Sequence, residues 1–147
     1  YFLITKISFY TRAVNSLDDS KDVRISERVR LPRDKLKGFE PGKVGPKDGS
    51  DYVGGNYAAS LNFTTNLPMI LPSVQTADFA FFIDAGNVWG VDYSDTVNES
   101  NEIRSAAGIG VNWFTPIGPM NFTLAQPITK ASSDKTQTFQ FSIGTTF

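Results

Sequence analysis

Residues 138–147 read TFQFSIGTTF, and this stretch decides the fold. Phe139, Phe141, Ile143, Thr145 and Phe147 fall on one side of an extended chain. Thr138, Gln140, Ser142, Gly144 and Thr146 fall on the other. Successive side chains of a strand point to opposite faces, so this is a strand with one largely apolar face and one small, polar face. A transmembrane barrel strand needs that alternation, with lipid outside and a polar lumen inside. The stretch ends on the aromatic Phe147, an unusual finish for a soluble strand. On this reading Phe139, Phe141, Ile143 and Phe147 meet lipid, and lysine is tolerated better at Gln140 or Ser142 than at Phe141 or Ile143.

Five further segments repeat the pattern upstream. Around 2–13, Ile7 and Phe9 oppose Lys6 and Ser8. Around 55–67, Tyr57, Ala59, Leu61, Phe63 and Leu67 alternate with Ala58, Ser60, Asn62 and Thr64. Around 77–89, Phe79, Phe81, Ile83 and Ala85 oppose Ala80, Phe82, Asp84 and Gly86. Around 103–114, Ala107, Ile109, Val111 and Trp113 oppose Arg104, Gly108, Gly110 and Asn112. Around 119–128, Met120, Phe122 and Leu124 oppose Asn121, Thr123 and Ala125. Each is near the ~9–11 residues of a tilted membrane strand.

The connections alternate in length. The 15–53 loop is long, the 68–76 turn short, the 90–102 loop longer, the 115–118 turn very short, and the polar 129–137 segment longer again. Short turns at one end and long loops at the other are the habit of outer-membrane barrels. Charge follows the same plan. Residues 15–53 carry 17 of the 29 charges, while 54–77 and 105–129 carry none. A soluble antiparallel sandwich or lipocalin-like sheet also alternates, but here the outward faces of the last four strands lack any charge.

Bulk composition excludes several classes. The balance of 14 basic and 15 acidic residues gives no reason to expect a nucleic-acid partner. No run of about 18 apolar residues exists, so a transmembrane helix is excluded. There is no cysteine, hence no disulfide framework or thiolate metal site. There is no histidine, which removes the commonest general base and the commonest metal ligand. No catalytic constellation, cofactor or metal is expected. Asp92, Asp95, Glu99 and Glu102 have no spacing that fits a cation loop and read as solvated carboxylates. The Gly108-x-Gly110 pair follows no strand-turn-helix unit, so it marks a thin strand and not a nucleotide loop. The first ten residues, YFLITKISFY, begin in mid-strand with no signal peptide, as expected of the carboxyl-terminal part of a longer chain.

Residues 36–46, LKGFEPGKVGP, resemble the loop motif [V/L]-R-G-[F/Y], followed by a Gly-Pro pair, of the BamA family of outer-membrane assembly proteins. Four more stretches resemble that family in order: GGNYAASLNF from Gly54, FFIDAGNVW at 81–89, RSAAGIGVNWFTPIGPM at 104–120 and FQFSIGTTF at 139–147. The resemblance implies an all-β fold: about six carboxyl-terminal strands of a sixteen-stranded antiparallel transmembrane barrel. Residues 1–147 would be one part of that barrel domain, with upstream strands and periplasmic domains outside it and loop 15–53 folded back into the lumen. It implies Lys37, Gly38, Phe39, Gly45 and Pro46 as the loop motif. Asp84 and Arg104 become lumenal partners, with a rim charge the other reading of Arg104. Phe139, Phe141, Ile143, Gly144 and Phe147 become the terminal-strand signal. Trp89 and Trp113 read as aromatic girdle anchors.

The chain departs from the family pattern twice. Lys37 stands where the motif has Arg, and Lys cannot form the bidentate fork. Asn62 stands where an acidic residue is usual. The expected lumenal ion pairing therefore shrinks to Lys37 with Asp84, so that the loop docks less tightly or by different contacts. The function implied is insertion of barrel proteins into the outer membrane of a Gram-negative bacterium or an organelle equivalent. Its partners would be the bilayer, nascent β-barrel clients and assembly-complex lipoproteins. A related pore for two-partner secretion or autotransporter assembly shares the loop and terminal strand, and upstream domains would separate the two. A soluble β-sheet binding protein is the third reading, and solubility without detergent would mark it.

Overall fold

The computed structural model describes residues 3–18, 28–67, 76–90, 102–131 and 134–144. Six long strands form one antiparallel meander. They are β1 (Thr5–Ala13), β4 (Tyr57–Asn66), β5 (Ala77–Trp89), β6 (Arg104–Thr115), β7 (Gly118–Thr129) and β8 (Phe139–Ile143), hydrogen-bonded in that order. Two short strands inside the long loop, β2 (Lys47–Asp48) and β3 (Asp51–Tyr52), pair with each other. A 3-10 turn at Arg33–Lys35 precedes the loop motif.

Register follows the alternation. Asn62 pairs with Asp84, Ile83 with Ala107, Ile109 with Leu124, and Phe122 with Phe141. Every such pair puts like faces together, because a one-residue slip would turn each apolar side chain into the lumen. The β6–β7 hairpin closes through Pro116 and Ile117, with Thr115 opposite Gly118. Its ladder shifts register between Ser105 and Ala106, bringing Pro127 opposite Ala106. Proline has no N–H for the ladder, and a bulge is where a sheet tolerates it. The sequence reading foresaw neither this bulge nor the β2–β3 hairpin.

The two faces differ sharply. Outward side chains such as Ile7, Phe9, Leu61, Ile109, Leu124 and Phe139 are about half to three-quarters exposed. A contiguous apolar wall of this kind would be a liability in water and suits hydrocarbon. Trp89 and Trp113 lie on it towards opposite ends of β5 and β6. Trp89 stacks on Tyr57 at 5.8 Å, consistent with anchors at the two membrane interfaces. The inner face is lined by small residues, including Ala58, Ser60, Ala80, Ala106 and Ala125, and all of these are buried.

Candidate functional site

What covers the inner face is the long loop. Val29, Leu31, Leu36, Phe39 and Val44 form one buried cluster with Ala58, Val88 and Ala106 of the sheet, and Tyr10 and Val14 pack at its edge. The loop's apolar residues find their burial here because small side chains on the wall leave room for them. The loop's return is pinned by a two-bond bridge, Val29 N–H to Gly55 O at 2.7 Å and Gly55 N–H to Val29 O at 3.0 Å. Arg28 Nη1 donates to Asn56 Oδ1 at 3.3 Å beside it.

The motif residues gather at the tip. Lys37 Nζ lies 2.9 Å from Asp84 Oδ2, with side chains 8% and 0% exposed. The Lys37 backbone N–H donates to the same oxygen at 3.0 Å. The ammonium also sits 4.5 Å above the Phe82 ring centroid. A buried carboxylate is costly unless paired and hydrogen-bonded, and Asp84 gains both contacts from one residue. Both contacts fall on Oδ2; Oδ1 is buried and has no hydrogen-bond partner among the described residues. A Lys ammonium is a point donor, so it leaves the second oxygen unserved where an Arg fork would reach both.

Asn62, directly across the ladder from Asp84, resolves the other departure. Its Nδ2 donates to the Lys35 carbonyl at 2.8 Å. A carboxylate there could not donate, so the amide supplies a loop contact of a different kind. Gly38 follows, at φ +95°, and a Cβ built on it would stand 2.9 Å from Ala106 Cβ and 3.0 Å from Ala125 Cβ. Only glycine fits this approach to the wall without displacing it. Further along, a Cβ on Gly45 would meet Val88 Cβ at 2.9 Å, and Pro46 is fully buried. In the outer part of the loop, burial first and then the Asp134 and Glu40 carboxylates push the Tyr52 hydroxyl above its ordinary range, which keeps it neutral.

A second buried ion pair lies beside the first site. Arg104, the first residue of β6, is fully buried, and its Nε and Nη2 reach Asp134 Oδ2 and Oδ1 at 2.8 and 3.2 Å. Arg104 Nη1 also donates to Asn87 Oδ1 and, at 2.9 Å, to the Glu102 carbonyl. The lumenal pairing is thus not limited to Lys37 with Asp84. Sequence reasoning missed Asp134, although one signal was available. A hairpin centred on Pro116-Ile117 returns the chain beside Arg104 near Thr129, and Asp134 is the first carboxylate after that point.

The terminal strand turns Phe139, Phe141 and Ile143 outward, 52%, 40% and 56% exposed. Phe122 of β7 packs between the two phenylalanines at 6.3 and 5.0 Å. Gln140 faces inward and is buried, and its Nε2 donates to the Phe39 carbonyl at 3.0 Å. It is therefore a loop contact and not a freely replaceable lumen residue. Gly144 adopts φ +84° while its N–H donates to Pro119 O at 2.7 Å, so the backbone turns as β8 ends. Phe147 lies outside the described residues, as do Asp92, Asp95 and Glu99.

An antiparallel apolar-out wall with an ion-paired loop folded against its inside defines a section of a plugged transmembrane β-barrel. The family model of the Omp85 superfamily domain matches residues 5–147, and the chain belongs to that superfamily. It is 34% identical over 139 residues to outer membrane protein assembly factor BamA of Neisseria meningitidis serogroup B, covering 76% of this chain and 17% of the relative. The same factor of Neorickettsia risticii is 30% identical over 145 residues, covering 96% and 19%. A SAM50-like protein of Schizosaccharomyces pombe is 30% identical over 132 residues, covering 83% and 27%. Among solved structures, BamA of Haemophilus ducreyi lacking POTRA domains 1–3 superposes with a TM-score of 0.81 at 25% identity, over 95% of this chain and 30% of that one. The chain spans under a fifth of the length of the two bacterial relatives.

Proposed function

We propose that this chain is the seam-bearing part of an outer-membrane insertase, which folds β-barrel clients into the bilayer. The observation that carries the reading is the edge along β8, which among the described residues pairs with β7 on one side and with no strand on the other. The unpaired N–H and C=O groups of such an edge template an added strand. A client strand joins that edge, and the client grows into the membrane by successive pairing. No covalent chemistry is required. The loop holds the lumen side in shape while the seam works. The bilayer and the nascent client are the direct partners, with accessory lipoproteins at the periplasmic side.

The test is reconstitution of the full-length protein in liposomes, with client folding followed by its shift in gel mobility. Acceleration of client insertion is expected. A cysteine at Ser142 should capture a client strand during assembly. A folded, reconstituted protein that leaves client folding at its spontaneous rate overturns the reading. Passage of unfolded client across the membrane without insertion would instead assign it to the translocation pores.

A further inference from the structure

Asp134 does more than neutralise Arg104. Its Oδ2 also accepts the Ala131 N–H at 2.8 Å, and the Asp134 N–H donates to Ala131 O at 3.2 Å. The next three residues run along the loop tip. Lys135 N–H then donates to Lys43 O at 3.1 Å, Glu40 N–H to Lys135 O at 3.0 Å, and Gln137 N–H to Gly38 O at 2.9 Å. Phe39 and Thr136 face each other across this miniature antiparallel ladder. Thr138 O accepts from Ala125 N–H, Phe139 opens β8, and Gln140 reaches back to Phe39 O. One continuous stretch of backbone therefore grips the loop with its first half and begins the terminal strand with its second. Its root is fastened to β6 by a fully buried, bidentate ion pair.

We propose that Arg104 and Asp134 are positioning residues of a latch that couples loop docking to the pairing of β8. Undocking the loop loosens the start of β8, and peeling β8 away frees the loop tip. Such coupling is reciprocal by thermodynamic necessity. The device would let a seam opened by a client be sensed at the loop.

The experiment is amide hydrogen exchange on the full-length protein in lipid nanodiscs. Asp134→Asn keeps the size and removes the charge and the fork. Exchange is expected to rise about tenfold or more both in 36–43 and in 139–143, as a buried charge-assisted bond of this kind is lost, while the β4–β5 ladder stays unchanged. Lys37→Ala, at the loop's other anchor, should likewise speed exchange in β8. A rise confined to 130–137, or loosening of β8 with a still-protected loop, overturns the latch. A second arm avoids any folding defect of the charge variant. Phe39 and Thr136 form a non-hydrogen-bonded antiparallel pair, the close type in which a disulfide fits. In Phe39→Cys with Thr136→Cys, oxidation should slow β8 exchange relative to the same protein after reduction. Equal exchange in the two forms counts against the coupling. Exchange reads the latch whether or not clients are inserted, so its failure is separable from failure of the insertase reading.

Discussion

At Asp84 the structure sets up a competition among three side chains. Lys37 serves one carboxylate oxygen, Oδ1 goes without, and Asn62 spends its amide on the loop backbone. Lys37→Ala removes the charge partner and leaves a buried carboxylate, an outcome that typically costs about 3–5 kcal/mol. Lys37→Arg should be neutral or gain about 1 kcal/mol by reaching the second oxygen. Asn62→Asp should cost stability, because it removes a donor and sets two carboxylates opposite one another. Combined with Lys37→Arg, most of that loss should return. Denaturation midpoints of the full-length barrel check the cycle, and strict additivity would show that the three do not touch. Glycine gives a sharper residue test. Gly38→Ala meets both a positive φ and two methyl groups, whereas Gly144→Ala meets only the positive φ. The first should destabilise by more than about 2 kcal/mol and the second by about 1. Lys37 and Asp84 were readable because the family resemblance covered both, and Asp84 sits directly among Phe81, Phe82 and Ile83. Asp134 was not, because a single acid among Ser and Lys looks like any solvated loop.

Among the elements, β8 carries the clearest consequence of facing. Ile143 points outward and Ser142 inward, one residue apart on the same backbone. Lysine at Ile143 must enter hydrocarbon, at about 2–4 kcal/mol if it lies near the midplane and less towards the rim. Lysine at Ser142 enters the polar side. Folding yield of full-length variants in liposomes should therefore fall far more for Ile143→Lys, and equal damage would refute the assignment. Gln140→Lys is now expected to be harmful for another reason, since it deletes the bond to Phe39 O. The alternation made the six long strands legible to within a few residues, because period two is a strong constraint once one face must be apolar. Irregular features left no such trace. The two-residue strands β2 and β3 have no room for alternation, and the bulge at Pro127 depends on the partner strand's backbone.

For the whole molecule, edges decide what can exist in a membrane. The sheet has an open edge along β1 and another along β8. In hydrocarbon each unpaired backbone group costs several kcal/mol, so only a closed barrel is admissible. The smallest single-chain outer-membrane barrels have about eight strands, and in this six-stranded sheet β1 and β8 do not pair with each other. The barrel plan itself was readable from the strand count and loop lengths, since these depend on spacing alone. The inner packing was not, because it needs loop residues 28–46 laid against a wall that lies far along the chain. The 147-residue chain refolded alone in detergent should therefore be polydisperse, with no gel band that shifts on heating. Refolded with a second polypeptide carrying the remaining barrel strands of the Neisseria meningitidis relative, it should give a heat-modifiable complex as β1 and β8 find partners. Lys6, at the β1 edge, and Ser142 of β8 should then become protected from labelling when replaced by cysteine. If the isolated chain instead forms a monodisperse, heat-modifiable monomer, closure has been achieved some other way, and the section-of-barrel reading fails with it.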